Sequence, residues 1–275
     1  MGSRSENSIK KVFNPVDNTN SAPPARLIVL GSTSSIFSGI KNHETFNGFY
    51  SFSRKEFLFS QKRREFTNTE HVIVLDFRCP PPKTCTKESI PHQLSSLLED
   101  YDAIGEIIPQ VQIVRCSSAS VYGAKAKNFY PSELTPRNPM NYCAELLCAL
   151  EDKILGMKNT TVVRLANILM RFPKIHHFQY WINLANFDET IELSDDGETV
   201  RNYCREEDVI NLISRVIKVA PPTNRPKIIN QAGGQVFNTF ELISHLRGGR
   251  PVIIKPTETP SRERFRVTTS IYNLR

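Results

Sequence analysis

The chain has 275 residues, 39% hydrophobic and 23% charged, an ordinary globular composition with room for one big core or a core plus a small lobe. Net charge is +7, and no apolar run approaches the ~18 residues of a membrane span, which argues against a membrane protein. Residues 1–25 are polar, hold a Pro-Pro pair and read as a mobile tail without a hydrophobic signal core, so the expected location is cytoplasmic.

After the tail, Leu27-Ile28-Val29-Leu30 is a continuous apolar run ending at Gly31. That pattern suits a strand buried on both faces and followed by a turn. A second strand-like run covers 46–52, and others follow at 71–75, 111–115, 161–165 and 227–230. Helical segments fall between several of these runs. The clearest is 141–155, where Leu146, Leu150 and Ile154 recur at four-residue spacing, Pro139 precedes and Gly156 ends the run. A helix is also predicted over 206–219, with Val209, Leu212, Ile213, Val216 and Ile217 on one face. Strands alternating with helices argue for a parallel sheet covered on both faces. The stretch 191–201 alternates around Asp196-Gly197 and reads as a hairpin or a short strand outside the main sheet.

Six cysteines (79, 85, 116, 143, 148 and 204) form no C-x-x-C pair, and the histidines complete no zinc pattern. Reduced thiols are the expectation; the alternative is a Cys79–Cys85 disulfide across a Pro-rich turn. His176-His177 reads as exposed loop histidine rather than a metal site. Residues 247–275 carry seven Lys and Arg against two Glu. A basic end can bind nucleic acid or an anionic small ligand. No aromatic stacking platform accompanies it, which counts against nucleic acid.

The residues with chemical content begin where the 111–115 run ends: Cys116-Ser117-Ser118-Ala119-Ser120-Val121-Tyr122-Gly123, then Glu133, Pro136, Pro139 and Tyr142. This order resembles the active-site half of the extended short-chain dehydrogenase/reductase family, the nucleotide-sugar epimerases, dehydratases and reductases. That family reads Ser-Ser-x-x-Val-Tyr-Gly, then Tyr-x-x-x-Lys about twenty residues later. The resemblance covers about 26–274. It implies an α/β fold, a Rossmann-like doubly wound parallel sheet at 26–170. The rest, 171–275, would be mainly a small C-terminal substrate lobe with some segments returning to the sheet.

The resemblance also implies roles. Tyr142 would exchange a proton with a substrate hydroxyl or carbonyl, and Ser118 would orient that oxygen. The family Lys holds the nicotinamide ribose and lowers the Tyr pKa. Here that position is Leu146, which offers neither charge nor hydrogen bond; losing tuned acid–base catalysis typically costs about two to four decades of rate. Lys153 lies eleven residues after Tyr142, about 16 Å along a helix, and Lys125 and Lys127 would have to reach in from another direction. The ordinary structural roles are a strand-end cap for Ser118 and a first-turn aromatic packed on the sheet for Tyr142.

Family members bind NAD or NADP through Gly-x-x-Gly-x-x-Gly after the first strand; the matching positions are Gly31, Ser34 and Phe37. Ser34 could contact a phosphate, whereas the Phe37 ring fills space left for close helix–strand contact. Arg54, after the second strand run, suits an NADP 2′-phosphate or a plain surface. The interval 55–70 is too short for a full strand and helix, and no His-x-Ala-Ala-like segment follows 75. On the substrate side, Asn167 in Arg164-Leu165-Ala166-Asn167 matches the Asn that contacts the nucleotide-sugar diphosphate region. Arg201 matches a phosphate-pairing Arg, a role suited to its planar fork, and Asp208 matches a structural Asp. Arg262, Arg264 and Arg266 fall where a second phosphate-binding Arg is expected; Arg262 stands as the candidate. Asn167 would otherwise satisfy loop backbone, and Arg201 would be a surface Arg.

The departures thus fall on dinucleotide contacts and the matches on substrate contacts. One reading is a protein with a sugar-nucleotide pocket and weakened or lost NAD(P) binding, acting as a binding protein or a non-redox enzyme. A second is an active NAD(P)-dependent epimerase, dehydratase or ketoreductase with an atypical cofactor site. A basic nucleic-acid module comes third. Family members often pair through the two long helices flanking the sheet, so a homodimer is a further expectation.

Overall fold

Runs of Val, Ile and Leu lie side by side because, with apolar residues on both faces, their backbone groups can be satisfied only by one another. The structure, a computed structural model, describes residues 26–31, 49–51, 72–78, 84–123, 131–169, 191–193, 200–218, 227–233, 235–246 and 254–256. In chain order the elements are β1 (Arg26–Leu30), β2 (Phe49–Ser51), β3 (Val72–Asp76), α1 (Ile90–Ile107), β4 (Gln112–Ser118), a 3-10 turn (Ala119–Tyr122), α2 (Tyr142–Leu155), β5 (Thr160–Leu165), β6 (Asn167–Leu169), β7 (Ile191–Leu193), β8 (Arg201–Arg205), α3 (Glu206–Lys218), β9 (Ile228–Gln231), β10 (Gln235–Phe237), α4 (Thr239–Leu246) and β11 (Ile254–Pro256). Six of the strands form one parallel sheet in the order β2-β1-β3-β4-β5-β9. This is a Rossmann-like α/β fold, as the alternation of runs predicts. Among the described residues one strand, β2, lies outside β1, so the order reverses between β1 and β3. Open α/β sheets bind ligands at the carboxyl ends of strands at such a switch point.

Alternate residues of each strand enter two separate cores, one per face. Leu27, Val29, Ile73, Leu75, Val114 and Val163 pack with Val209, Ile213 and Val216 of α3 and with the 3-10 turn. Ile28, Leu30, Val72, Val74, Ile113 and Val162 pack with Leu97, Tyr101 and Ile104 of α1 and with Leu150 and Ile154 of α2.

Several boundaries differ from the sequence reading, each for a physical reason. The predicted 71–75 strand runs on to Asp76 because that carboxylate is buried against arginines instead of ending the strand in water. Similarly, β4 continues through Ser118, paired to β5 as far as Leu165. Helix α2 starts at Tyr142 because Asn141 is its N-cap, accepting from Ala144 N at 2.8 Å. Helix α1 is not among the helices expected from the sequence, although Leu94, Leu97, Tyr101 and Ile104 carry its stripe. The hairpin alternative for 191–201 is corrected: β7 pairs with β11, while β8 pairs with β6 and β10 in a different sheet. The other alternative for that stretch, a short strand outside the main sheet, describes β7.

The turn after β4 depends on Gly123. Its φ is +68°, and a Cβ there would sit 1.9 Å from the Asn138 carbonyl oxygen. Asn138 N also donates to Val121 O at 2.8 Å, so two backbones meet with no space for a side chain. Gly123→Ala is expected to lower stability by about 2 kcal/mol or more, read as a lower urea midpoint at unchanged slope.

Candidate functional site

The carboxyl ends of β3, β4, β5 and β9 carry buried polar residues: Asp76, Ser117, Arg164, Asn230 and Gln231. Ser118 closes β4, half-buried, and its Oγ accepts from Ser120 N at 3.2 Å. It therefore plays the cap role considered for it, and its O–H remains able to donate. Tyr142 opens α2 and is 41% exposed, so it does not pack flat on the sheet. One turn on, Leu146 is 0% exposed. Lys153 is exposed in the last turn of α2. Helix α2 packs across the 3-10 turn and against β4, which carry Ser118 and the Val121-Tyr122-Gly123 segment.

Glu151, one of the buried residues of α2, is the hub of this end of the sheet. It accepts from Ser117 Oγ at 2.6 Å, from Arg164 Nη2 at 2.7 Å and from Arg137 Nη1 at 3.4 Å. Arg164 Nη1 donates to Tyr122 Oη at 2.7 Å, and Tyr122 Oη donates to Asn230 Oδ1 at 2.7 Å. Asn230 N in turn donates to Glu133 Oε1 at 2.8 Å. Burial pushes the Tyr122 phenol upward, and the Arg164 and Asn230 contacts oppose this without cancelling it. Tyr122 thus stays a neutral donor at neutral pH.

A second cluster lies below the β1/β3 switch point. Asp76, 0% exposed, accepts from Arg78 Nη2 at 2.9 Å and from the Tyr101 hydroxyl. Arg115 Nη1 lies 2.9 Å from Asp76 Oδ1 without hydrogen-bond alignment, and among the described residues Arg115 Nε has no hydrogen-bond partner. Arg78 is further tied to Asp100. Burial alone would raise the Asp76 carboxyl, but Arg115 and Arg78 together hold it below its ordinary value. Gly31 ends β1 at φ +80°, and a Cβ there would meet Arg78 N at 2.9 Å, so the backbone after β3 lies directly against this turn.

On the substrate side, Asn167 is exposed and its Nδ2 donates to Asn202 O at 3.3 Å. Asn202 and Gly233 exchange hydrogen bonds at 2.7 and 3.0 Å, closing β8 against the backbone after β9. Half-buried Arg201 lies beside Tyr203, whose phenol is raised by burial and pulled the other way by that guanidinium. Asp208 Oδ2 accepts from Arg205 N at 3.1 Å, so it caps α3, a structural role as expected. Ser34, Phe37, Arg54, Lys125, Lys127, His176, His177 and Arg262 lie outside the described residues, as does Cys79; Cys85, Cys116, Cys148 and Cys204 are free thiols. Burial pushes Cys116 and Cys204 up to about 12, which leaves both protonated and inert. No described helix is long and apolar enough to cross a membrane, and no His, Cys, Asp and Glu cluster able to hold a metal occurs among the described residues.

The sequence reading did not single out Asp76, Arg78, Arg115, Tyr122 and Glu151 as site residues. The available signal was a charge inside an apolar strand run (Arg115) and a carboxylate next to Leu150 on the buried side of a helix.

No protein-family model and no curated protein matches the chain. Solved structures match in fold. UDP-glucose 4-epimerase from Thermotoga maritima, with UDP-glucose, aligns with a TM-score of 0.65 at 16% identity, over 90% of this chain and 89% of that one. UDP-glucuronic acid 4-epimerase from Bacillus cereus, with UDP-glucuronic acid and NAD, gives 0.66 at 14%, over 84% and 85%. dTDP-glucose 4,6-dehydratase from Bacillus anthracis, with NAD, gives 0.64 at 16%, over 91% and 87%. At these identities the likeness establishes a shared fold.

A dinucleotide fits the described residues at one point and fails at another. Gly31 keeps the close backbone turn after β1. Leu146 faces the core, so the turn after Tyr142 supplies no cation for a nicotinamide ribose, and the Arg78 guanidinium is engaged by Asp76 and Asp100.

Two measurements check these assignments. Asp76→Asn is expected to cost about 3–5 kcal/mol at pH 7, because it strips a buried arginine of its carboxylate. In the wild type that stability is present above the unfolded carboxyl value of about 3.9 and is lost as pH falls through the depressed folded value, so the urea midpoint of the variant should vary less from pH 5 downward. Leu146→Lys should lower the thermal midpoint, at a cost of about 3 kcal/mol or more, since the position is core.

Proposed function

We propose that this chain is a nucleotide-sugar epimerase/dehydratase-like protein that keeps a sugar-nucleotide pocket and has weakened or lost NAD(P) binding. It acts as a binding protein or as a non-redox enzyme in which Tyr142 and Ser118 move or hold a proton at a substrate oxygen. The observation that carries this reading is the contrast across one helical turn: Tyr142 is 41% exposed and Leu146 is 0% exposed. A phenol reaches solvent while the position that should tune it is sealed in the core. Ser118 stands at the carboxyl end of β4, the end of the sheet where such folds bind ligands, and Tyr142 opens α2, which packs against β4 and the 3-10 turn. The solved structures of the same fold are complexes with UDP-glucose, with UDP-glucuronic acid and NAD, and with NAD. Asn167, Arg201 and Arg262 would hold the anionic nucleotide, with 171–275 supplying most of that lobe and a homodimer as the assembly.

A second reading, an active NAD(P)-dependent epimerase, dehydratase or ketoreductase, is favoured by Gly31, whose positive φ and missing Cβ keep the turn that a dinucleotide needs. Ser34 and Arg54 would then favour NADP.

Isothermal titration with UDP-glucose, UDP-glucuronic acid, dTDP-glucose, NAD and NADP separates the two. The expected result is a nucleotide sugar bound at about micromolar affinity and each dinucleotide at least about a hundredfold weaker. Micromolar binding of NADP would overturn the first reading.

A further inference from the structure

The segment 131–141, which leads into Tyr142, has few apolar anchors: Leu134 is 93% and Met140 53% exposed. It is nevertheless held at both ends by one buried polar network. At its start, Asn230 Nδ2 donates to Pro131 O at 3.3 Å and Asn230 N donates to Glu133 at 2.8 Å. Near its end, Arg137 Nη1 donates to Cys148 O at 2.9 Å and to Glu151 at 3.4 Å. The two anchors are joined through Glu151, Arg164, Tyr122 and Asn230. Glu151 also takes the hydroxyl of Ser117, the residue next to Ser118, at 2.6 Å. One carboxylate therefore touches the strand that ends in Ser118, the loop that leads to Tyr142, and the helix that Tyr142 opens.

We infer that Glu151 is a positioning residue: with Arg164 it sets Tyr142 and the 131–141 loop against the Ser118 end of β4. This rests on the proposed function for its purpose, though not for its geometry. Glu151 and Arg164 are 1% and 2% exposed, so neither can be exchanged for water when the pair is broken. The network spans five segments of the chain, and its loss would loosen the loop without removing any apolar contact of the sheet. Asp152 also pairs with Arg137 but is 61% exposed, where an ion pair is worth little.

The test is amide hydrogen exchange on the full chain as wild type, Glu151→Gln, Ser117→Ala and Asp152→Asn, with UDP-glucose titration of the same samples. Glu151→Gln is expected to speed exchange about ten- to a hundredfold at 117–123 and 131–142 and to leave β1 and β3 unchanged. Ser117→Ala, which removes one donor only, should do the same about threefold to tenfold; it serves if Glu151→Gln does not fold. Asp152→Asn should change exchange less than about twofold. UDP-glucose affinity should fall at least about tenfold in Glu151→Gln. Faster exchange spread equally over β1 and β3 would overturn the inference, since Glu151 would then serve general stability. Unchanged exchange at 131–142 would also overturn it. If the wild type binds no UDP-glucose while the local exchange effect holds, the proposed function falls and the positioning of the loop stands.

Discussion

The carboxyl end of the sheet depends on the ion pair between Glu151 and Arg164, 2.7 Å apart and closed off from water. Two charges in such a place are tolerated only when each is satisfied several times over. Glu151 has donors from β4, β5 and the loop before α2, and Arg164 adds the Tyr122 hydroxyl. The Arg164 guanidinium also lies 4.9 Å from the centre of the Tyr122 ring, a further favourable contact for a buried cation. The cost of burying the pair is offset only if all of these segments meet in one arrangement. That makes the end of the sheet a unit: the 3-10 turn, α2 and β9, which already share an apolar core, are also joined by buried polar contacts.

A second buried charge cluster at β1 and β3 follows the same logic toward a different outcome. Asp76 is enclosed by Arg115, Arg78 and Tyr101, and Arg78 leans on Gly31. In a Rossmann-like sheet this is the switch point, where ligands are bound outside the strand ends. Here Arg78, whose backbone lies against the Gly31 turn, is engaged by Asp76 and Asp100. Leu146, one turn after Tyr142, is buried, so neither position presents a free cation to that end of the sheet.

Much of this architecture was legible in the residues alone. The runs at Leu27–Leu30, 71–75, 111–115, 161–165 and 227–230 lie on strands of the parallel sheet, because a continuous apolar run suits only a strand covered on both faces. The four-residue spacing in 141–155 marks α2 for the equivalent reason. Errors arose where a polar residue looked like an ending: Asp76 reads as the exit from a strand, yet it is the strand's last buried residue. The 191–201 stretch carries an Asp-Gly turn signal, yet its two strands find partners elsewhere in the chain. Turn chemistry is local, whereas the choice of sheet partner is made by whichever edge lies alongside.

The sequence by itself determined the class of fold, the place of Ser118 at a strand end and of Tyr142 at a helix start, and the absence of a cation one turn later. These follow from local periodicity and from the identity of single residues. Only the tertiary structure decided which polar groups are buried and with whom. Tyr122 meets Asn230 across 108 residues, Ser117 meets Glu151 across 34, and Tyr101 meets Asp76 across 25. A charged residue in a strand or helix is compatible with water or with a partner, and nothing near it in the chain distinguishes the two. The distinction is made when burial removes the water and leaves the partner as the sole source of hydrogen bonds.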